Sequence, residues 1–232
     1  MDLRGWVRTS LLDFPGRIAT VLFTGGCNFR CPPCQNAGLV LYPEAFPHVE
    51  EQEVWEFLER RKGRVEGVVL TGGEPTVQPD LLPFMQRAKR MGLAVKLDTN
   101  GYRPEVLEEV LAEGAADYVA MDVKAPQEKY ALLAGRPDLD LGRIERSIAL
   151  LRQSGIAHEF RTTVVPGLLD EHDLETIARW LHGASLYVLQ PFRPEGTLDP
   201  ALERVTPYPA EWLQAVAERI RPYVASVEVR ML

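Results

Sequence analysis

The chain has 232 residues, 46% hydrophobic and 25% charged, with a formal net charge of −7. That is an ordinary globular composition, long enough for one sizeable core or one barrel-like α/β domain. The acidic balance argues against a phosphate-tracking surface, so no nucleic-acid partner is expected. No apolar run approaches the roughly 18 residues that span a bilayer, and Arg4 and Arg8 interrupt the stretch where a signal-peptide core would lie. No membrane association and a cytoplasmic location are therefore expected.

Short apolar runs alternate with amphipathic stretches along the chain. The first predicted strand, Arg17–Thr24, runs into Thr24-Gly25-Gly26-Cys27. A helix is predicted at Glu51–Arg61, then a strand at Gly67–Thr71 that ends in Gly72-Gly73-Glu74-Pro75. In the next helix, Pro79–Met91, Leu81, Phe84, Met85 and Ala88 have the spacing of one buried face. Strand Ala94–Asp98 leads to Asp98-Thr99-Asn100-Gly101, helix Pro104–Glu113 follows, and strand Tyr118–Asp122 leads to Asp122-Val123-Lys124. Helix Leu141–Ser154, strand Glu159–Val165, helix Glu171–His182 and strand Leu186–Gln190 continue the pattern, the last reaching Gln190-Pro191-Phe192-Arg193. Helix Pro209–Ile220 and an apolar alternation at Val227–Val229 close the chain. Proline at the start of Pro79–Met91 and of Pro104–Glu113, and Gly92, Gly114 and Gly155 after helix ends, mark the boundaries.

Strand–helix alternation implies parallel strands with right-handed crossovers. Six such units fit an α/β fold of the incomplete (β/α)6 TIM-like barrel type, with one extra C-terminal strand, and residues 1–232 are expected to form a single domain. In parallel α/β architectures the C-terminal strand edge builds the site. Here polar residues stand at each predicted strand end.

All three cysteines lie in one string, Cys27-Asn28-Phe29-Arg30-Cys31-Pro32-Pro33-Cys34. An odd, clustered set is a poor disulfide framework and a good metal-ligand set. Three thiolates on one loop can hold three irons of a cubane and leave the fourth iron open. Zinc is the competing reading, but it wants four ligands, and the nearest candidate, His48, lies fourteen residues beyond Cys34. Three buried, inert cysteines are the plainest alternative.

The cysteine string after the first strand, followed by Gly72-Gly73-Glu74-Pro75 after the second, resembles the radical S-adenosylmethionine (SAM) superfamily. Leu12-Asp13-Phe14-Pro15-Gly16 ahead of the first strand and Cys34-Gln35-Asn36 resemble its glycyl-radical-enzyme activases, nearest to those of anaerobic ribonucleoside-triphosphate reductase. The sequence departs from the family at Pro33, where an aromatic usually precedes the third cysteine, and at Gln35, where many activases carry His.

The resemblance implies a 4Fe–4S cluster on Cys27, Cys31 and Cys34, with SAM as the second cofactor. It places the methionine amine near Gly72, Gly73 and Glu74, and the ribose or methionine carboxylate near Asp98, Thr99 and Asn100. Asp98 and Asp122 could instead hold a cation. Lys124 can meet the SAM carboxylate as a point charge. Arg161 sits in an apolar strand where an unpaired charge would be costly, and with Thr163 it can face the cofactor. Gln190 begins a segment expected near the adenine, and Arg193 could reach substrate. No side chain is assigned an acid or base role, and His158, His172 and His182 are read as solvated. The implied partners are a glycyl-radical enzyme and a one-electron donor such as flavodoxin or ferredoxin. A radical enzyme acting on a small nucleotide-like metabolite and a zinc-stabilised scaffold are the alternatives.

Overall fold

A computed structural model describes residues 1–231. Eight strands follow one another in the order β1 to β8: Leu3–Ser10, Ala19–Thr24, Gly67–Gly72, Ala94–Thr99, Tyr118–Asp122, Ala157–Val164, Tyr187–Pro191 and Val227–Val229. The expected α/β class with an unclosed, mostly parallel sheet is observed. Eight helices, α1 to α8, lie between the strands: Ala37–Leu41, Glu51–Arg60, Leu81–Arg90, Pro104–Ala112, Tyr130–Leu133, Leu141–Ser154, Glu171–Trp180 and Ala210–Ile220. None of the described helices is long and apolar enough to cross a membrane.

The chain forms two compact units. One comprises residues 1–28 and 38–119, the other residues 29–37 and the described residues from 120 onward, so the division falls within β5 and within the cysteine string. In the first unit β2, β3 and β4 pair in parallel, with Val21 beside Val69 and Val69 beside Lys96. Ala19, Val21 and Val69 form a cluster with Phe14 and Ala94. These strands read as near-continuous apolar runs because both faces are covered. The buried helical stripe expected in α3 is present: Leu81, Phe84, Met85 and Ala88 are all buried.

Strand β1 has no counterpart in the sequence reading. It pairs antiparallel with β2, Leu3 opposite Thr24, and Trp6 donates its indole N–H to Thr20 Oγ1 at 2.7 Å. The signal was present as Trp6, Val7 and Thr9 ahead of a Pro15-Gly16 turn. That turn also explains why β2 starts at Ala19 rather than Arg17: Arg17 N–H closes onto the Phe14 carbonyl, and Gly16 takes φ 71°. The Leu12–Gly16 string is thus a hairpin loop, with Phe14 buried and Leu12 exposed.

In the second unit β6, β7 and β8 pair in parallel, with Arg161 beside Val188 and Val188 beside Glu228. The extra C-terminal strand expected at Val227–Val229 is β8. Helix α6 is bounded by an Asp140 side-chain cap and a left-handed Gly155. Helix α7 opens on a reciprocal capping box between Asp170 and Asp173.

Candidate active site at the strand ends

In the first unit the ends of β2, β3 and β4 are packed backbone to backbone. Gly73 donates its N–H to the Thr24 carbonyl at 2.9 Å, and Glu74 donates to the Gly26 carbonyl at 2.9 Å. The approach is so close that a Cβ at position 73 would lie 1.9 Å from the Gly26 oxygen. At Gly72 φ is 110° and a Cβ would meet the Thr24 nitrogen at 2.5 Å. Both glycines are therefore required to seat the strand end against the root of the cysteine loop.

The Glu74 side chain turns inward. It is 1% exposed, and its Oε1 accepts from Thr76 N (3.0 Å), Thr76 Oγ1 (2.6 Å) and Thr99 Oγ1 (2.7 Å). Oε2 accepts from Asn100 N at 2.7 Å. Burial pushes the carboxyl up, and the donors from Thr76, Asn100 and Thr99 pull it back. An acceptor surrounded by donors ties β3 to β4. Thr76 was not singled out from the sequence.

Two residues beyond Glu74's donor Asn100 stands Tyr102, whose own N–H is taken by Asn100 Oδ1 at 3.0 Å. Asn100 Nδ2 donates to Asn28 Oδ1 at 2.7 Å and to Cys27 Sγ at 3.8 Å. Asp98 pairs with Lys96 Nζ at 2.8 Å, both on β4, with Lys96 itself buried. Lys96 escaped the sequence reading although it carries the same signal as Arg161, a charge inside an apolar strand. His48 faces carboxylates, Asp2 at 3.7 Å and Glu50 at 3.9 Å.

In the second unit the cysteine loop is clamped along its length. Arg30 N–H donates to the Ala134 carbonyl, and a Cβ at Gly135 would lie 2.0 Å from the Arg30 oxygen. The carbonyls of Pro32 and Cys34 accept from Asp199 and Leu198 N–H groups. Gln35 Nε2 donates to the Arg193 carbonyl at 3.2 Å, while the Arg193 side chain is exposed. Burial pushes the Cys31 thiol up to about 11, against the pull of the Lys124 ammonium, and pushes the Cys34 thiol up as well. Without metal both are thiols at neutral pH, so loading metal displaces their protons.

Charged side chains continue from that point. Lys124 Nζ lies 2.8 Å from Asp122 Oδ2, and Arg161 Nε lies 2.8 Å from Asp122 Oδ1. Burial alone would raise Asp122. The Arg161 and Lys124 charges overcome it and hold the carboxyl well below the usual carboxylate range. Arg161 Nη1 lies 4.0 Å from Glu159, a fully buried carboxylate that receives both guanidinium nitrogens of Arg230 at 2.8 Å. Glu159 and Arg230 went unnoticed in the sequence. Glu159 alternates with Arg161 in an apolar strand, and that spacing is the clue that could have found it. Thr163 is exposed, and Gln190 is half-buried beside it in register.

The Arg230–Glu159 pair is bidentate with one partner buried, the arrangement in which losing a partner is costly. Arg230→Ala is expected to lower unfolding stability by about 2 kcal/mol, discounted for Arg230's partial exposure. Arg230→Lys should fall between. Urea denaturation checks this, and unchanged midpoints in both variants would show that Glu159 does not depend on Arg230.

The residues suit an iron–sulfur cluster in their donor chemistry. Soft thiol ligands, an amide N–H on the Cys27 sulfur and an ammonium beside Cys31 and Cys34 all favour a negatively charged thiolate site. Among the described residues no three Cys, His, Asp or Glu side chains already form a cage for a single ion.

Comparison with known proteins follows the same residues. A protein of Methanocaldococcus jannaschii, provisionally named a glycyl-radical enzyme activating enzyme, is 34% identical over 98% of this chain and 95% of its own length. A Pyrococcus horikoshii protein provisionally named GTP 3′,8-cyclase is 36% identical, over 56% of this chain and 43% of its own. Among solved structures, Streptococcus suis SuiB bound to precursor peptide SuiA shares the fold, with a TM-score of 0.68 at 14% identity, covering 90% of this chain and 48% of SuiB. The radical SAM superfamily model matches residues 21–181, a stretch holding the cysteine string, the Gly72–Pro75 turn and the β4 and β5 ends. By that match the chain belongs to the radical SAM superfamily, whose enzymes work with a 4Fe–4S cluster and SAM.

Proposed function

We propose that the chain is an activating enzyme that installs a glycyl radical in a partner protein, and that the partner is an anaerobic ribonucleotide reductase. The carrying observation is similarity from end to end. The relative named as an activating enzyme is matched over 95% of its length, whereas the cyclase is matched over 43% of its own. The Leu12–Gly16 and Cys34–Asn36 strings support the reductase as the specific partner through their resemblance to its activases.

Cys27, Cys31 and Cys34 would hold the cluster through three thiolates, leaving one iron for SAM. When bound, the cluster and SAM would supply the one-electron reductive cleavage of the sulfonium and the hydrogen-atom abstraction from glycine that follows from it. The chain's own side chains bind and orient. Gly72 and Gly73 bring backbone close to the methionine amine, with Glu74 fixing that turn from behind. Lys124, aimed by Asp122, would meet the SAM carboxylate, and Arg161, aimed by Asp122 and Glu159, would add positive charge. By resemblance, Asp98 and Thr99 would serve the ribose, and Gln190 the adenine. Flavodoxin or ferredoxin would supply the electron.

The test is to reconstitute the protein anaerobically, reduce it, and add SAM with the reductase. A glycyl-radical EPR doublet on the reductase is expected. If none forms, while a small metabolite stimulates 5′-deoxyadenosine release, the substrate is that metabolite and the activase reading is wrong.

A further inference from the structure

The Asn100 side chain has no orientation left to choose. Its Oδ1 accepts from Tyr102 N–H at 3.0 Å, which fixes which end of the amide is oxygen. Its Nδ2 therefore carries two hydrogens directed elsewhere: one to Asn28 Oδ1 at 2.7 Å, the other to Cys27 Sγ at 3.8 Å, a length that sulfur's larger radius allows. Asn100 is 5% exposed, and its backbone N–H is anchored on Glu74 at 2.7 Å. The amide is thus held at the sulfur by a bond on either side. In the free thiol Cys27 can itself donate to Asn28 Oδ1 at 3.8 Å. An iron-bound thiolate can only accept, which makes the bond from Asn100 charge-assisted.

We infer that Asn100 is a positioning residue that sets the reduction potential of the cluster through an N–H···S bond to Cys27. The inference rests on the cluster reading above. Adding an electron to a thiolate-bound cluster places more negative charge on its sulfurs, and a donor facing one of them stabilises the reduced form. Removing the donor lowers the potential and makes the cluster harder to reduce. Asn28 Oδ1 takes the other amide hydrogen, while the Tyr102 and Glu74 bonds hold the Asn100 amide at the sulfur without it.

The experiment is a redox titration of anaerobically reconstituted protein, read by the EPR signal of the reduced cluster, in wild type, Asn100→Leu, Asn100→Asp and Thr76→Val. Asn100→Leu removes the donor without adding charge. At a fixed poise its ratio of reduced to oxidised cluster should fall by about three- to tenfold, tenfold being about 59 mV for a one-electron couple. Asn100→Asp should fall at least as far. Thr76→Val loosens the same Glu74 anchor (Thr76 Oγ1 to Oε1, 2.6 Å) without touching the sulfur, and its potential should match wild type. Equal potentials across the Asn100 variants at full iron content, or a Thr76→Val shift as large as theirs, overturns the inference while leaving the cluster in place. Wild-type protein supplies a measurement that needs no stable Asn100 variant. With asparagine side-chain amides labelled by 15N, the reduced cluster should show a coupled nitrogen and an exchangeable proton that persist in Asn28→Ala and Asn36→Ala. Their absence overturns it too. A wild-type protein that takes up no cluster is a different outcome, and it removes the cluster reading along with this one.

Discussion

Replacing any one of Cys27, Cys31 or Cys34 with alanine is expected to remove most of the iron from reconstituted protein, against about four irons and four sulfides per chain in wild type. The effect should be near-total because each thiolate would serve a separate iron, and no neighbouring side chain has the softness to replace it. The Cys31 thiol is buried and pushed up to about 11, so its proton leaves only when metal takes its place. Its loss would also leave the Lys124 ammonium without the thiolate it faces. Iron and sulfide assays with the visible spectrum check the expectation. Full iron in all three variants, or one zinc per chain, would refute the cluster assignment.

The second large effect is steric. Gly73→Ala places a methyl 1.9 Å from the Gly26 carbonyl oxygen, and Gly135→Ala places one 2.0 Å from the Arg30 carbonyl oxygen. Both obstacles are backbone, which cannot rotate aside as a flexible side chain would. Gly135 also has φ 59°, a conformation unfavourable for alanine. Each change is expected to cost about 3 kcal/mol or more, above the usual range for overpacking. That corresponds to a Tm lower by roughly 6–12 °C for a chain of this size. The carbonyls belong to residues directly before Cys27 and Cys31, so cluster loading should fall with stability. Gly92→Ala, whose Cβ would meet nothing within 4 Å, is the comparison that isolates the contact from the φ penalty alone, since its φ is 80°. If Gly73→Ala and Gly135→Ala melt no lower than Gly92→Ala, the close approaches do not shape the loop.

Fold class and the thiol-based chemistry are legible in the chain alone. Helices α2, α3, α4, α6, α7 and α8 and strands β2 to β8 follow from apolar periodicity and from Pro, Gly and Asp at element ends, signals that operate within a few residues. The thiol set is equally local, three ligands within eight residues. Which partner each polar group meets is set by long-range packing. Glu74 reads as a ligand-facing carboxylate, yet it spans 26 residues to the Asn100 N–H and lies buried between strand ends. Glu159 finds Arg230 across 71 residues, and Asn100 reaches back 73 residues to the Cys27 sulfur. Gly72-Gly73 reads as a turn, but the reason for it is the Thr24–Gly26 backbone on a neighbouring strand. Periodicity says which face of an element is buried. Which side chains meet there depends on strand register and on how neighbouring strand ends are seated, and no pattern confined to one segment carries that information.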